Sequence, residues 1–255
     1  MEAIIFIVVF GLAWGSFLNV VIFRLPEGLS LLKPRSFCRR CRTTIPFYDN
    51  IPLLSYIILR GKCRRCGARI SPSYLLVEVL TPVCFLLIYF QFGLGVYFFA
   101  ACLFSSGLIA LGFIDFDHKI LPDALTLPGF ALALAYSFFR ADLRPAQSLI
   151  GAAVGGGFLL LVYGVYYGLK KKEGLGLGDV TLMLMIGAFL GWRLTLLTLI
   201  LASVAGAVVG IIIIVRKKKN LQYALPFGTF LAPAAFLALL WGETIVAAYL
   251  NLYGR

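Results

Sequence analysis

The sequence predicts an all-α integral membrane protein: a bundle of about eight transmembrane helices with one cytoplasmic zinc-binding loop. Hydrophobic residues make up 61% of the 255 residues and charged residues only 13%, about half the charged share of a soluble domain. Eight apolar runs approach the roughly 20 residues that a helix needs to cross a bilayer. Lipid offers no partners to exposed backbone groups, so helices are the expected form. The runs cover about 3–23, 74–92, 96–114, 124–139, 148–169, 180–192, 194–215 and 229–250.

The first apolar run is predicted to be a retained span. It begins after Glu2 without a preceding basic residue and continues for some 20 residues. A cleaved signal peptide has a positive start and a shorter apolar run.

The basic residues predict the orientation. If the N-terminus lies outside, nineteen of the 23 Lys and Arg residues fall in segments on the inner side. Basic loops stay in the cytoplasm, where they also meet anionic lipid. This accounts for the net charge of +12 without nucleic acid as a partner. The four on the outer side are Arg140, Arg144, Arg193 and Arg255.

The polar segment 24–73 is too small to hold a large core unaided, and it carries two CxxC pairs. Four thiolates at this spacing are typical of a zinc ribbon. Two disulfides are the alternative, but the predicted cytoplasmic location favours reduced thiols and hence a structural metal. The four are Cys38, Cys41, Cys63 and Cys66. The chain thus divides into a first helix (1–23), this loop (24–73) and a polytopic transmembrane domain (74–255).

Four carboxylates meet one predicted membrane face. Asp115, Asp117 and Asp123 lie at the inner end of the third span, and Asp179 lies at the inner start of the sixth. Two carboxylates in one site cannot both ionise cheaply, so one serves as general acid while the other activates water. The alternative is that Asp179 and Asp123 only cap the N-termini of helices.

Three further residues are candidates for this site. Gly176 and Gly178 precede Asp179 and would let a substrate backbone approach closely. The glycine- and lysine-rich substrate loop 170–179, which contains them, is predicted to move and admit the substrate segment. Glu78 lies in the first turns of the second span, where an acid is costly unless it is hydrogen-bonded or functional. Both roles remain open for Glu78.

Small residues at four-residue spacing predict close helix packing. They are the pairs Gly151/Gly155, Gly187/Gly191 and Gly206/Gly210.

Other chemistries are poorly supported. His118 is the only histidine, and the sequence contains neither an HExxH motif nor a phosphate-binding loop with a GK[ST] end.

Six motifs in order resemble the bacterial type IV prepilin peptidase family, which belongs to the GxGD aspartic proteases. They are GSFLNV at 15–20 followed by RLP at 24–26, the paired CxxC loop, the segment from Ile70 to Glu78, Asp115 to Asp123, the GxGD ending at Asp179, and PFG at 226–228 with Pro233.

The resemblance implies that Asp115 and Asp179 are the catalytic pair, with Asp117 as the less favoured candidate. It implies cleavage of a basic leader from prepilins or type II secretion pseudopilins, in the bacterial inner membrane at its cytoplasmic border. It also implies N-methylation of the new N-terminus with S-adenosylmethionine, an activity that nothing in the spacing indicates by itself. The intact cysteine loop resembles the longer, bifunctional members.

Three other functions remain as alternatives. They are a peptidase without methylation, a transporter that uses intramembrane acids, and a non-catalytic scaffold built on the zinc loop. A transporter predicts acids near the middle of the bilayer, whereas these lie at its inner border.

Overall fold

The computed structural model describes residues 1–171, 176–217 and 225–253. These ranges contain eight α-helices and no β-strand, which confirms the all-α prediction. The helices are α1 (Glu2–Arg24), α2 (Leu54–Ile58), α3 (Pro72–Phe92), α4 (Val96–His118), α5 (Asp123–Ser137), α6 (Pro145–Lys170), α7 (Leu177–Lys217) and α8 (Gly228–Tyr253).

Six of the helices in the described ranges are long and apolar enough to cross a membrane: α1, α3, α4, α6, α7 and α8. Two of the predicted spans, 180–192 and 194–215, both lie within α7. The backbone of α7 leaves the helical region at Gly191, with φ 75° and ψ 168°, so this element consists of two helices joined at a break. The fourth predicted span corresponds to α5, whose 15 residues rise only about 22 Å, less than the bilayer core of about 30 Å.

The chain forms two compact units, Met1–Ala110 and Leu111–Arg255, and the boundary falls inside α4. This division follows contacts in space. The division at 23/24 and 73/74 follows the predicted membrane topology and stays a prediction.

In the first unit, α1 packs antiparallel against α3 through three levels spaced four residues apart. Gly11 faces Pro82, and Gly15 faces Glu78; a Cβ on Gly15 would lie 3.0 Å from the Glu78 Cα. One turn further along, the Asn19 side-chain amide donates to the Tyr74 carbonyl at 2.9 Å. The first sequence motif, GSFLNV, is thus part of a close helix contact.

In the second unit, glycines bring α6 and α7 into direct backbone contact. A Cβ on Gly151 would collide with the Gly187 carbonyl, and a Cβ on Gly187 would collide with the Gly151 carbonyl. The Ser148 hydroxyl donates to the Ala188 carbonyl at 2.7 Å across the same contact. The predicted packing role is confirmed for these glycines. At Gly206, by contrast, an added Cβ would make only ordinary contact with the Phe230 ring, at 3.7 Å.

Candidate active site and metal centre

Asp115 lies in the last turn of α4 and is buried, with 4% of its surface exposed. Its Oδ2 accepts two hydrogen bonds from Thr229 at the start of α8, from the backbone N–H at 2.7 Å and from Oγ1 at 3.1 Å. These donors compensate a carboxylate that would otherwise be costly to bury.

Asp179 is the third residue of α7 and is also buried, with 7% exposed. The Gly176 N–H donates to its Oδ2 at 3.3 Å, in the way that an acid in the first turn satisfies a free donor at a helix N-terminus. Asp179 therefore satisfies a backbone donor at the start of α7 from the third position of the helix. It is not the N-cap residue itself. Its Oδ1 is buried and accepts no hydrogen bond from the described residues.

The structure brings Asp115 and Asp179 together. The two carboxylates interact electrostatically, and each also interacts with the backbone N–H of Gly228. Gly228 permits this approach because it has no side chain; a Cβ there would lie 3.0 Å from Asp115 Oδ2. Two buried acids that interact in this way form a unit that can hold one proton between them.

The neighbouring acids lie outside this pair. Asp117 is exposed. Asp123 is exposed and accepts a hydrogen bond from Thr181 Oγ1 at 3.2 Å. It begins α5, whose N-cap is Pro122, so Asp123 is a first-turn acid and not the predicted N-cap.

The two candidate glycines have different surroundings. Gly176 contacts Asp179 through its N–H, as described above. Gly178 lies in the first turn of α7 with its Cα against Leu121; a Cβ there would lie 2.7 Å from the Leu121 Cβ. This contact favours a packing role for Gly178. Residues 172–175 of the predicted substrate loop lie outside the described residues.

Sequence reasoning assigned no role to Thr229 and none to Gly228 beyond its motif. Both contact Asp115 across 113 or 114 positions of the chain. The available signal was a glycine followed by a small hydroxyl residue at the start of an apolar helix.

The four cysteines of the first unit form a second candidate site. Their sulfur atoms all lie within 4.8 Å of one another, and Cys38 Sγ lies 3.8 Å from Cys66 Sγ. Four sulfurs at about 2.3 Å from a tetrahedral zinc would be separated by about 3.8 Å. The cluster can therefore hold a metal ion, and a donor set of four thiolates fits zinc.

The two CxxC segments fold in the same way. The Cys38 N–H donates to the Thr43 carbonyl and the Cys63 N–H to the Ala68 carbonyl, at 2.9 and 2.8 Å. The residue after each second cysteine has positive φ, 57° at Arg42 and 67° at Gly67. These turns point both thiols of each segment towards the centre.

Hydrogen bonds favour the thiolate form that binds metal at Cys41 and Cys63, whereas burial and the neighbouring thiols raise the pKa of Cys66 to about 11. The hydroxyl and the backbone N–H of Thr43 lower the pKa of Cys41 to about 6. The N–H groups of Cys66 and Arg65 lower the pKa of Cys63. Hydrogen bonds from Arg64 at 2.6 and 2.7 Å hold the pKa of Asp49 below its usual value, and they tie the second CxxC segment to the turn at Phe47–Asn50.

Comparison with known proteins decides the family. Residues 9–92 match the bacterial peptidase A24 N-terminal domain, and residues 102–211 match the type IV leader peptidase family. The chain is 37% identical over 268 residues to a prepilin leader peptidase/N-methyltransferase of Pseudomonas putida, covering 96% of this chain and 93% of that protein. It belongs to the type IV leader peptidase family.

Other relatives of this chain carry the same name. The protein of Stutzerimonas stutzeri is 39% identical over 266 residues, covering 95% of this chain and 92% of its own length. That of Myxococcus xanthus is 45% identical over 212 residues, covering 82% of this chain and 63% of its own length. No solved structure matches the chain.

The remaining candidate residue, Glu78, lies in the first unit. Its Oε2 accepts a hydrogen bond from the Leu53 N–H at 2.9 Å, and the Ser16 side chain is a second partner. Glu78 also lines a cavity of about 620 Å³ within that unit. The structure thus supports a hydrogen-bonding role and places the carboxylate at the wall of a cavity.

Proposed function

We propose that this chain removes the basic leader peptide from type IV prepilins or type II secretion pseudopilins, with Asp115 and Asp179 as the catalytic pair. The observation that carries the proposal is the pair of buried carboxylates on α4 and α7, which interact electrostatically with each other and with the Gly228 N–H. Membership of a peptidase family makes the chain an enzyme, and this pair has the composition of an aspartic peptidase site.

Cleavage requires one protonated and one ionised carboxyl group. The ionised group takes a proton from water, whose oxygen attacks the carbonyl carbon of the scissile bond. The protonated group donates to the carbonyl oxygen as the tetrahedral species forms. Protonation of the leaving nitrogen then breaks the C–N bond and restores the pair.

The positions of the acids favour a peptidase over a transporter. Asp115 lies in the last turn of α4, and Asp179 in the first turn of α7. Acids at helix ends suit a substrate bond at the membrane border. With the N-terminus outside, as the basic residues predict, this border faces the cytoplasm of a bacterial inner membrane.

The second activity is N-methylation of the new N-terminus. Its support is the shared name of the relatives, prepilin leader peptidase/N-methyltransferase. S-adenosylmethionine would supply the methyl group as an electrophile. The cysteine cluster would hold one structural zinc ion, because four thiolates leave no open position for water.

The test is incubation of the purified protein with a prepilin and isotopically labelled S-adenosylmethionine, followed by mass spectrometry. We expect a single new N-terminus that carries one labelled methyl group. Cleavage without label would leave a peptidase only. An uncut prepilin, in the presence of a folded enzyme, would contradict the proposal.

A further inference from the structure

A patch of exposed apolar side chains covers the segment between the two CxxC pairs. Four of its large apolar side chains are between 57% and 73% exposed: Phe47, Leu54, Ile57 and Ile58. The last three have the spacing i, i+3 and i+4, so they share one face of the short helix α2. A contiguous apolar surface of this kind marks a site that contacts a protein or a membrane. We call these four residues the apolar patch.

The opposite face of α2 is fastened to the protein. Ser55 is buried. Its hydroxyl accepts from the Ile51 N–H and donates to the Tyr48 carbonyl, each at 3.0 Å. These bonds join α2 to the turn at Phe47–Asn50 and fix which face of the helix points away from the protein. The exposure of the apolar patch is therefore set by the fold.

Two further hydrogen bonds place α2 beside α3. The Leu53 N–H donates to Glu78 Oε2 at 2.9 Å, and the Tyr56 hydroxyl donates to the Ile70 carbonyl at 3.4 Å. Glu78 lies six residues after Pro72, the first residue of α3, which corresponds to about 9 Å along the helix axis. The apolar face of an interfacial helix enters the boundary of headgroups and acyl chains by about 5–10 Å. Measured from the start of α3, the N-terminus of α2 lies at this depth.

The same level of α3 carries exposed apolar side chains of its own. Leu76 and Val79, on either side of Glu78 in the chain, are 54% and 40% exposed, and α3 is long and apolar enough to cross a membrane. Exposed apolar side chains on such a helix face acyl chains. The apolar patch therefore continues a surface that meets lipid, and a protein partner would have to reach the patch through the headgroup layer.

The charges next to the apolar patch suit anionic lipid. Arg60 and Lys62 follow α2 and are exposed. The sole acid in residues 47–62 is Asp49, and its two oxygens accept hydrogen bonds from Arg64 at 2.6 and 2.7 Å. This edge of the segment is thus positively charged, and anionic headgroups attract Lys and Arg near the membrane surface.

We infer that residues 47–62 form a lipid-binding surface. The apolar patch inserts into the boundary of headgroups and acyl chains, in the leaflet where α1 ends and α3 begins, while Arg60 and Lys62 contact anionic headgroups. Because this surface lies between the two CxxC pairs, its insertion holds the cysteine cluster at the membrane surface. The inference does not depend on the peptidase activity proposed above.

Lipid contact is tested by photocrosslinking of the full chain in nanodiscs of phosphatidylethanolamine and phosphatidylglycerol. Benzoylphenylalanine replaces Phe47, whose ring it resembles. Phe90 of α3, which is 66% exposed, is the membrane control, and Arg42, an exposed residue of the same loop outside the apolar patch, is the matched comparison. Mass spectrometry counts the lipid adducts per chain.

We expect the yield of lipid adducts at position 47 to lie within twofold of the yield at position 90 and at least fivefold above the yield at position 42. Absence of lipid adducts at position 47 would overturn the inference, and so would equal yields at positions 42 and 47. When prepilin is added, crosslinks from position 47 to prepilin in place of lipid would identify a protein-docking surface and would also overturn it.

The contribution of α2 is tested with the double variant Ile57→Ser/Ile58→Ser. These side chains are 64% and 71% exposed, so their loss should leave the fold and the metal content unchanged. We expect the lipid-adduct yield at position 47 to fall at least threefold. Leu32→Ser, at an 87% exposed residue of the same loop, should keep the full yield. An unchanged yield in the double variant would overturn the insertion of α2.

The contribution of charge is tested by replacing phosphatidylglycerol with phosphatidylcholine. We expect the yield at position 47 to fall at least twofold, and Arg60→Gln/Lys62→Gln should cause a similar fall in the anionic nanodiscs but none in the neutral ones. Equal yields in the two lipids would overturn the role of Arg60 and Lys62. Since these experiments do not measure cleavage, their outcome is separate from that of the proposed function.

Discussion

The Asp115 carboxylate accepts hydrogen bonds from both the backbone N–H and the hydroxyl of Thr229, at 2.7 and 3.1 Å. This links the end of α4 to the start of α8. The backbone donor is present whatever residue occupies position 229, except proline, whereas the hydroxyl is specific to Thr or Ser. The two contributions can therefore be separated by substitution.

Thr229→Val removes the hydroxyl and keeps the shape and the backbone N–H. A hydrogen bond to a charged group contributes about 1.5–3 kcal/mol to stability, so we expect the melting temperature to fall by several degrees and the cleavage rate per folded chain to fall about tenfold. Thr229→Ser should retain most of the rate. Equal rates for the Val and wild-type proteins in a prepilin cleavage assay would mean that the hydroxyl does not position Asp115.

Gly228→Ala places a methyl group 3.0 Å from Asp115 Oδ2 and from Leu121 Cδ1. We expect it to displace the carboxylate and to lower the cleavage rate at least tenfold. Gly164→Ala is the matched control, because a Cβ at Gly164 of α6 meets no atom within 4 Å. The measurement is the cleavage rate per folded chain of each variant. Equal rates would show that position 228 tolerates a side chain next to Asp115.

Gly178→Val distinguishes packing from substrate gating at the start of α7. Its Cβ would lie 2.7 Å from the Leu121 Cβ, so we expect a lower melting temperature and a loss of activity in proportion. Gly157→Val in α6, where a Cβ meets open space, controls for the general effect of valine in a helix. A large loss of turnover with wild-type stability would favour the gating hypothesis.

Cys63→Ser should remove a ligand of the proposed zinc site. We expect metal analysis to find one zinc per wild-type chain and well below half a zinc per chain in the variant. Cys84→Ser, at a buried cysteine of α3 outside the cluster, should retain the metal. Disulfides between the four clustered cysteines in the mature protein, or full activity without metal, would contradict the structural role.

The helical fold and the cysteine cluster could be predicted because their signals are local. Apolar runs fix the helices, and the turn at each CxxC segment depends on residues within six positions, from Cys38 to Thr43 and from Cys63 to Ala68. The proximity of Asp115 and Asp179 followed from placing both on one membrane face, which needs only the helix count and direction.

The surroundings of the pair could not be predicted, since they arise from tertiary contacts. Thr229 meets Asp115 across 114 positions, and no sequence pattern indicates which helix start will meet that carboxylate. The cavity beside Glu78 likewise depends on residues from Ser16 to Glu78 brought together by α1, α3 and the cysteine turns. The sequence also allows Asp179 to be an N-cap, because acids are common at the N-cap position. In the structure Asp179 lies two residues inside the helix.

The most direct test of the catalytic pair is the cleavage rate of purified Asp115→Asn and Asp179→Asn with a prepilin substrate. Asparagine keeps the size of the side chain but cannot exchange a proton as a carboxyl group does. General acid–base groups typically contribute about 10²–10⁴-fold, so each variant should lose at least about a hundredfold in rate while it remains folded and inserted. Asp117→Asn, at an exposed acid two residues from Asp115, should show a lesser loss. A rate near wild type in either Asp115→Asn or Asp179→Asn would contradict the account.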